Sequence, residues 1–283
     1  MTMKHIPVLL DTVLDALGDI KGETIVDCTF GAGGYSRAFL TRGANVIAFD
    51  RDPNVAPDAD KMRAEYGDKF TFVPKAFSNI ADLDCHIDAI VFDLGISSMQ
   101  IDIAERGFSF RADAPLDMRM SESGIDAAQW IEMHSVSELA DVLRTYGDVK
   151  KANILARAIK ENLPRTTFEL RDLIHNPKDV APVFQALRIV VNDEMGELER
   201  ALNVVPDLLK VGGRCVCVTF HSLEDRIVKN TFRKWTTAPG DPRLPTVATA
   251  PFDMIKPMVP TEMELANNPR ARSAHMRGVV KSC

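Results

Sequence analysis

The sequence predicts an α/β fold, a doubly wound Rossmann-like sheet with a small helical domain inserted into it, and three observations carry that expectation. The stretch Asp27-Cys28-Thr29-Phe30-Gly31-Ala32-Gly33-Gly34-Tyr35-Ser36 follows the apolar Glu23 to Val26 and leads into Arg37 to Thr41, which reads as strand, glycine turn and helix. Further short apolar segments follow at Asn45 to Phe49, Phe70 to Val73 and Asp88 to Phe92, and the first and last of these run into Asp50 and Asp93. That order is the order of a parallel wound sheet. The next sheet strand, Arg214 to Thr219, comes only after a long stretch of helical pattern where one crossover helix would suffice.

Each element has its own reason. His5 to Leu10, then Val13, Leu14 and Leu17, read as an extended entry and a short helix stopped near Gly18, expected to lid the glycine turn. At the turn, Gly31, Gly33 and Gly34 remove Cβ atoms where a ligand would come close, and the helix beyond offers unpaired N–H groups. A tight turn without a ligand explains the glycines alone equally well. The dinucleotide fingerprint wants glycine where this chain has Ser36, and a P-loop wants Lys then Ser or Thr, which Gly34-Tyr35-Ser36-Arg37 does not supply. A ligand without polyphosphate remains. Asp27 would repel phosphates but suits an amino-acid ammonium, so S-adenosylmethionine fits better than ATP or NAD.

At the end of the second strand, Asp50 is placed to accept from ribose hydroxyls, worth about 1.5 to 3 kcal/mol for bonds to a charged acceptor. Phe77 leaves the third strand where ligands of open sheets bind, and it either flanks an adenine or packs in the core. The fourth strand delivers Asp93-Leu94-Gly95-Ile96-Ser97-Ser98-Met99-Gln100 to the same edge, an acid, a glycine and two hydroxyls where a transferase would present acceptors.

Beyond it, Ser135 to Glu138 is a capping box for a helix with Leu139, Ala140 and Leu143 on one face and Gly147 as a stop. Thr166 to Glu169 starts another helix, ended by Asn176-Pro177, and Pro182 opens a long run through Leu202 back to the sheet. The expected division is residues 1–106 with 188–283 as a ligand-binding domain and 107–187 as an inserted helical substrate-recognition domain over the active edge. After the fifth strand, Ser222 and Asp225 read as an N-cap pair, with His221 either a substrate contact or a structural histidine. Phe252 to Val259 and His275 to Val280 close the sheet as an antiparallel pair.

Composition narrows the class. At 283 residues and 46% apolar the chain can bury a large core with a smaller domain beside it. It has no apolar run of the ~18 residues a span needs, and Met1 to Leu10 has no secretory pattern, so a cytoplasmic protein off the membrane is expected. Cys28, Cys85, Cys215, Cys217 and Cys283 suggest neither disulfides nor a metal site. The net charge of -6 argues against indiscriminate nucleic-acid coating, yet Leu265 to Cys283 carries Arg270, Arg272, Arg277 and Lys281 without an acid. Local basic surface on an acidic body suggests docking on a structured polyanion.

With these residues in hand, the chain resembles the MraW/RsmH family. The blocks are His5 to Leu10, Asp27 to Leu40, Phe49 to Pro53, Asp93 to Gln100, Glu105 to Phe110, Pro115 to Met120, Phe184 to Asn192, Phe220 to Lys229 and Asn268 to Ser273. The resemblance implies a class I methyltransferase sheet, S-adenosyl-L-methionine as cofactor, and methylation of N4 of a cytidine in the decoding region of small-subunit ribosomal RNA, within the small ribosomal subunit. It places cofactor contacts on Gly33, Gly34, Tyr35, Asp50, Phe77, Asp93 and Gln100. Asp93, Ser97 and Ser98 become the candidate catalytic groups. Phe108 or Phe110 would stack on the base, with Arg106, Arg119, Arg270 and Arg272 for phosphates and His221 a further substrate contact. For Arg106 and Arg119, ion pairs bracing the insert are an equal alternative. Where the family often has His the chain has Tyr35, and where it often has Pro the chain has Met99. Rival readings are an amino-methyltransferase of this fold acting on DNA or a small amine, and an NAD-dependent dehydrogenase; assembly as a homodimer stays open.

Overall fold

A computed structural model describes residues 7–238 and 249–283, and the start of the block beginning at His5 lies outside them. In chain order, α1 (Leu10–Leu17) precedes β1 (Thr24–Asp27), α2 (Gly34–Thr41), β2 (Asn45–Phe49), α3 (Ala56–Tyr66), β3 (Phe70–Val73) and β4 (Ile87–Asp93). Then come α4 (Ser98–Asp102), α5 (Ala127–Met133), α6 (Val136–Gly147), α7 (Ala152–Asn162), α8 (Thr167–Asp172), α9 (Pro177–Asn192) and α10 (Glu194–Leu208). The chain closes with β5 (Leu209–Thr219), α11 (Ser222–Trp235), β6 (Phe252–Met258), α12 (Glu262–Asn267) and β7 (His275–Lys281).

The strands form one seven-stranded sheet in the order β3-β2-β1-β4-β5-β7-β6. The pairs from β3 through β5 are parallel, and β7 is antiparallel to both β5 and β6. This is the doubly wound sheet with a closing antiparallel pair that the apolar spacing predicts. The order reverses between β1 and β4, and a wound sheet offers its ligand crevice at that switch, outside the carboxyl ends of the strands. Asp27 lies opposite Val91, and Asp93 lies two residues further along β4. With side chains alternating at period two, Asp27 and Asp93 therefore share one face of the sheet.

The chain divides into two compact units, residues 1–95 with 196–283, and residues 96–195. In the first, Phe39, Phe49, Phe92, Phe232 and Phe252 are fully buried, each worth about 1.5 to 3 kcal/mol relative to exposure. In the second, Leu116, Met118, Ile131, Leu139, Leu143, Ile159, Leu170, Val183 and Leu187 make a separate core. Its ends at 96 and 195 lie outside the 107 and 187 read from sequence, and position 187 falls inside α9, one continuous helix from Pro177 to Asn192.

Caps explain several boundaries. Ser135 with Glu138 and Thr166 with Glu169 form the capping boxes read from sequence. Elsewhere the termini differ. Asn176 caps α9 with Pro177 at its first turn, so Pro182 is inside that helix rather than at its start. Asp193 in the left-handed conformation then separates α9 from α10, breaking the long run expected through Leu202. The N-cap of α11 is His221, boxed with Glu224, and not Ser222 with Asp225. Asp225 instead makes a bidentate ion pair with Arg277 of β7, at 2.7 and 2.9 Å. Among the described residues no helix is long and apolar enough to cross a membrane.

Candidate functional site

The site is built at the carboxyl ends of β1, β2 and β4 in the first unit. After Asp27 the chain turns through Gly31 (φ 52°) and Gly33 (φ 75°), and Gly33 is the N-cap of α2. Both angles lie in the region glycine adopts without a steric penalty. A Cβ on Gly33 would come 2.6 Å from Met62 Cε and 3.0 Å from the Phe30 ring, and one on Gly34 would come 2.4 Å from Pro7 Cγ. The N-cap Gly33 brings no side-chain cap to α2, and within its first turn the Ser36 N–H is taken by the Asp27 carboxylate.

Asp50 shapes this turn. Its Oδ2 accepts from Gly31 N at 2.8 Å and its Oδ1 from Asp52 N at 2.9 Å. Each carboxylate oxygen retains acceptor capacity for a further donor. Burial raises its carboxyl above the ordinary range, against the two backbone bonds. Tyr35 is buried and its hydroxyl donates to the Val8 carbonyl, while Leu9 N donates to Glu264 Oε1 at 2.5 Å. The entry segment is thereby tied to α2 and to α12, and of Tyr35 only the backbone is left for a ligand.

Asp27 and Asp93 form the acidic heart of the site. Asp27 is 0% exposed; its Oδ2 accepts from Ser36 Oγ at 2.6 Å and its Oδ1 from Thr29 N at 3.1 Å. Burial pushes its carboxyl up to about 6, with the Asp50 charge adding to the effect and the Ser36 bond opposing it. Thr29 links the two acids, because its Oγ1 also accepts from Asp93 N at 2.8 Å. The buried Asp93 Oδ1 has no hydrogen-bond partner among the described residues. Burial, then the charges of Asp27 and Glu224, raise the Asp93 carboxyl well above its usual range. The ammonium acceptor read from sequence as Asp27 is thus sealed, and the unfilled carboxyl is its neighbour on β4.

The remaining predicted residues are distributed as follows. Phe77 packs edge-on to Phe92 at 5.7 Å, one side in the core. His221 caps α11, and its Nε2 lies 3.0 Å from Glu224 Oε1. Arg270 and Arg272 are exposed on a short helical turn, Pro269–Ser273, anchored by buried Ala271 and Ala274. In the second unit, Ser97 and Gln100 form a capping box: Ser97 N donates to Gln100 Oε1 at 3.0 Å and Gln100 N to Ser97 Oγ at 3.2 Å. The Ser98 side chain lies outside what the structure describes.

Arg106 Nη2 donates to the carbonyls of Arg119 and Met120 at 2.8 and 3.0 Å. Arg119 pairs with Asp117 at 2.7 and 2.8 Å, so both arginines brace the insert. Phe108 is in the core of the unit, and Phe110 lies edge-on to Phe184 at 5.4 Å. Sequence reasoning missed Thr29 and Ser36 as partners of the acids. An aspartate side chain that accepts from the backbone N–H two residues on is a turn signal, and Asp27 carried it for Thr29. Ser36 carried no such mark, since it reaches Asp27 only once α2 folds back over the strand end.

The MraW methylase family model matches residues 2–282. A ribosomal RNA small subunit methyltransferase H of Sinorhizobium fredii is 46% identical, covering 99% of this chain and 88% of the relative. A protein of the same name from Chelativorans sp. is 45% identical over 98% and 87%. A solved rRNA methylase from Streptococcus thermophilus has a TM-score of 0.44 at 14% identity, covering 99% of both chains. The chain belongs to the MraW methylase family.

Proposed function

We propose that the chain transfers a methyl group from S-adenosyl-L-methionine to N4 of a cytidine in small-subunit ribosomal RNA, within the small ribosomal subunit and in the cytoplasm. The observation that carries this reading is the 46% identity, over 99% of the chain, to relatives named for methylation of small-subunit ribosomal RNA. The site fits the donor on its own chemistry. It has a glycine turn at the N-terminus of α2 and, beside it in the sheet, a buried carboxyl with an unfilled acceptor for an ammonium.

In this reading Gly33, Gly34 and the Tyr35 backbone line the donor, Asp50 accepts from its ribose and Phe77 flanks its adenine. Asp93 takes the methionine ammonium, and Gln100 completes the contacts. The bound donor supplies an electrophilic methyl on a sulfonium. The protein's task is then chiefly orientation of the acceptor. The cytosine N4 lone pair is delocalised into the ring, so acceptors that hold its N–H groups favour the pyramidal amine. With Asp93 engaged by the ammonium, Ser97 and Ser98, four and five positions beyond the end of β4, are the groups assigned to that task.

The second unit serves as the substrate-recognition domain, with the partly buried Phe110 offered to the base, Phe108 held in the unit's core, and Arg106 and Arg119 shaping the loop that carries them. Arg270 and Arg272 contact phosphates and His221 the substrate. Incubating the protein with labelled donor and, in parallel, small subunits, naked ribosomal RNA, DNA and small amines tests the reading. Label confined to ribosomal RNA is expected. Label in DNA or in the small amines, or in none of the acceptors, contradicts it.

A further inference from the structure

Two buried carboxyls lie on one face of the sheet at the ends of neighbouring strands. Asp27 and Asp93 lie on one face of the sheet, coupled through Thr29, which donates its N–H to one and accepts from the backbone of the other. Among the described residues no guanidinium or ammonium pairs with either carboxyl. Asp93 is faced by Asp27 from β1, Glu224 from α11 and the Tyr35 hydroxyl from α2. Asp27 is faced by Asp50 beyond β2, by Ser36 and Thr29 as donors, and by the thiol of Cys28. The His221 imidazole, on Glu224, completes the set.

Two charges so placed, unscreened by water and without a counter-cation, repel each other, so each favours a proton on the other. A donor ammonium is the missing counter-charge. This step rests on the reading that the donor's methionine end reaches Asp93.

We propose that donor binding expels one proton from the Asp27–Asp93 pair, with Asp27 a positioning residue that acts through Asp93, so that donor affinity is tied to pH. The carboxyl O–H of the pair loses its proton to solvent as the ammonium forms its salt link to the Asp93 carboxylate, and charge balances. Burial raises both carboxyls in the empty protein, Asp27 to about 6, and the ammonium lowers them again. Affinity is therefore full above the pair's titration and falls by about tenfold per pH unit below it.

The test is calorimetric titration of S-adenosylhomocysteine, which carries the same amino-acid end, in buffers of differing ionisation enthalpy from pH 5.5 to 7.5. In this range the ligand's own amine stays charged. The expected result is net release approaching one proton per site at the acid end, declining towards pH 7.5. Ser36→Ala removes a bond that favours charged Asp27, so the break in affinity should move to higher pH. Asp27→Asn should move it to lower pH, and the Ser36 variant keeps the test open should the asparagine variant not fold. His221→Gln should leave the proton count unchanged. Binding without proton release, an unmoved break in Ser36→Ala, or release lost in His221→Gln overturns the proposal while leaving the donor site in place. Wild-type affinity in Asp93→Ala would instead remove the site reading itself.

Discussion

Asp50 does two things at once, holding the glycine turn through Gly31 N and offering acceptors beyond it. Asp50→Ala is expected to weaken S-adenosylmethionine binding about tenfold to a hundredfold by calorimetry, the equivalent of ~1.5 to 3 kcal/mol. Unchanged affinity would remove Asp50 from the ribose. Asp27 makes a separate statement about stability. Its folded carboxyl is raised to about 6, so its contribution is fully present below the unfolded value near 4 and is lost as pH rises to about 6. The donor-free protein should accordingly lose up to about 3 kcal/mol between those limits from this group, at 1.36 kcal/mol per unit. Asp27→Asn should flatten that part of the denaturation midpoint against pH. The glycine turn after β1 and the acid at the end of β2 were legible in the sequence because each follows directly on an apolar strand segment. The pairing of Asp27 with Ser36 and the emptiness of Asp93 Oδ1 were not, since they depend on which strand ends become neighbours.

Among elements, the loop between α4 and α5 is held by contacts that leave no space. Gly107 has φ 70°, and a Cβ there would come 2.4 Å from Pro115 O and 2.7 Å from Asp117 N, both backbone atoms. Gly107→Ala should therefore cost more than the ~1 kcal/mol of an ordinary strained glycine and loosen the loop that carries Phe108. Asn192, at the end of α9, clamps the same loop, accepting from Met120 N at 2.7 Å and donating to Met118 O at 2.7 Å. Asn192→Ala removes both bonds, and a loss of about 2 to 6 kcal/mol in chemical denaturation is expected, at ~1 to 3 kcal/mol for each of the two buried bonds. Sequence patterns located α6 and α8 because serine or threonine followed by glutamate satisfies helix-end N–H groups locally. The start of α9 and the cap of α11 were misread for the same local reason: Pro182 and Ser222 are plausible openers, but Asn176 and His221 make the bonds.

At the scale of the molecule, the sheet order places β1 and β4 side by side, and the rest of the site follows from that adjacency. The wound topology was legible because four apolar segments ending in turns or acids admit few other arrangements. The basic tail was only partly legible. Arg277 and Lys281 are consumed by Asp225 and by the carbonyls of Pro206 and Leu209, leaving Arg270 and Arg272 exposed. Arg270→Ala with Arg272→Ala should weaken RNA binding and lower the salt slope by about one unit per arginine. An unchanged slope would take phosphate contacts away from this turn. The most direct measurement of the whole account is mass mapping of small-subunit ribosomal RNA from cells lacking the protein, after incubation with purified protein and S-adenosylmethionine. The account predicts one new methyl group, on N4 of a cytidine, restored by the wild-type protein and not by Asp93→Ala. A methyl group on another atom or nucleotide, or full restoration by Asp93→Ala, would contradict it.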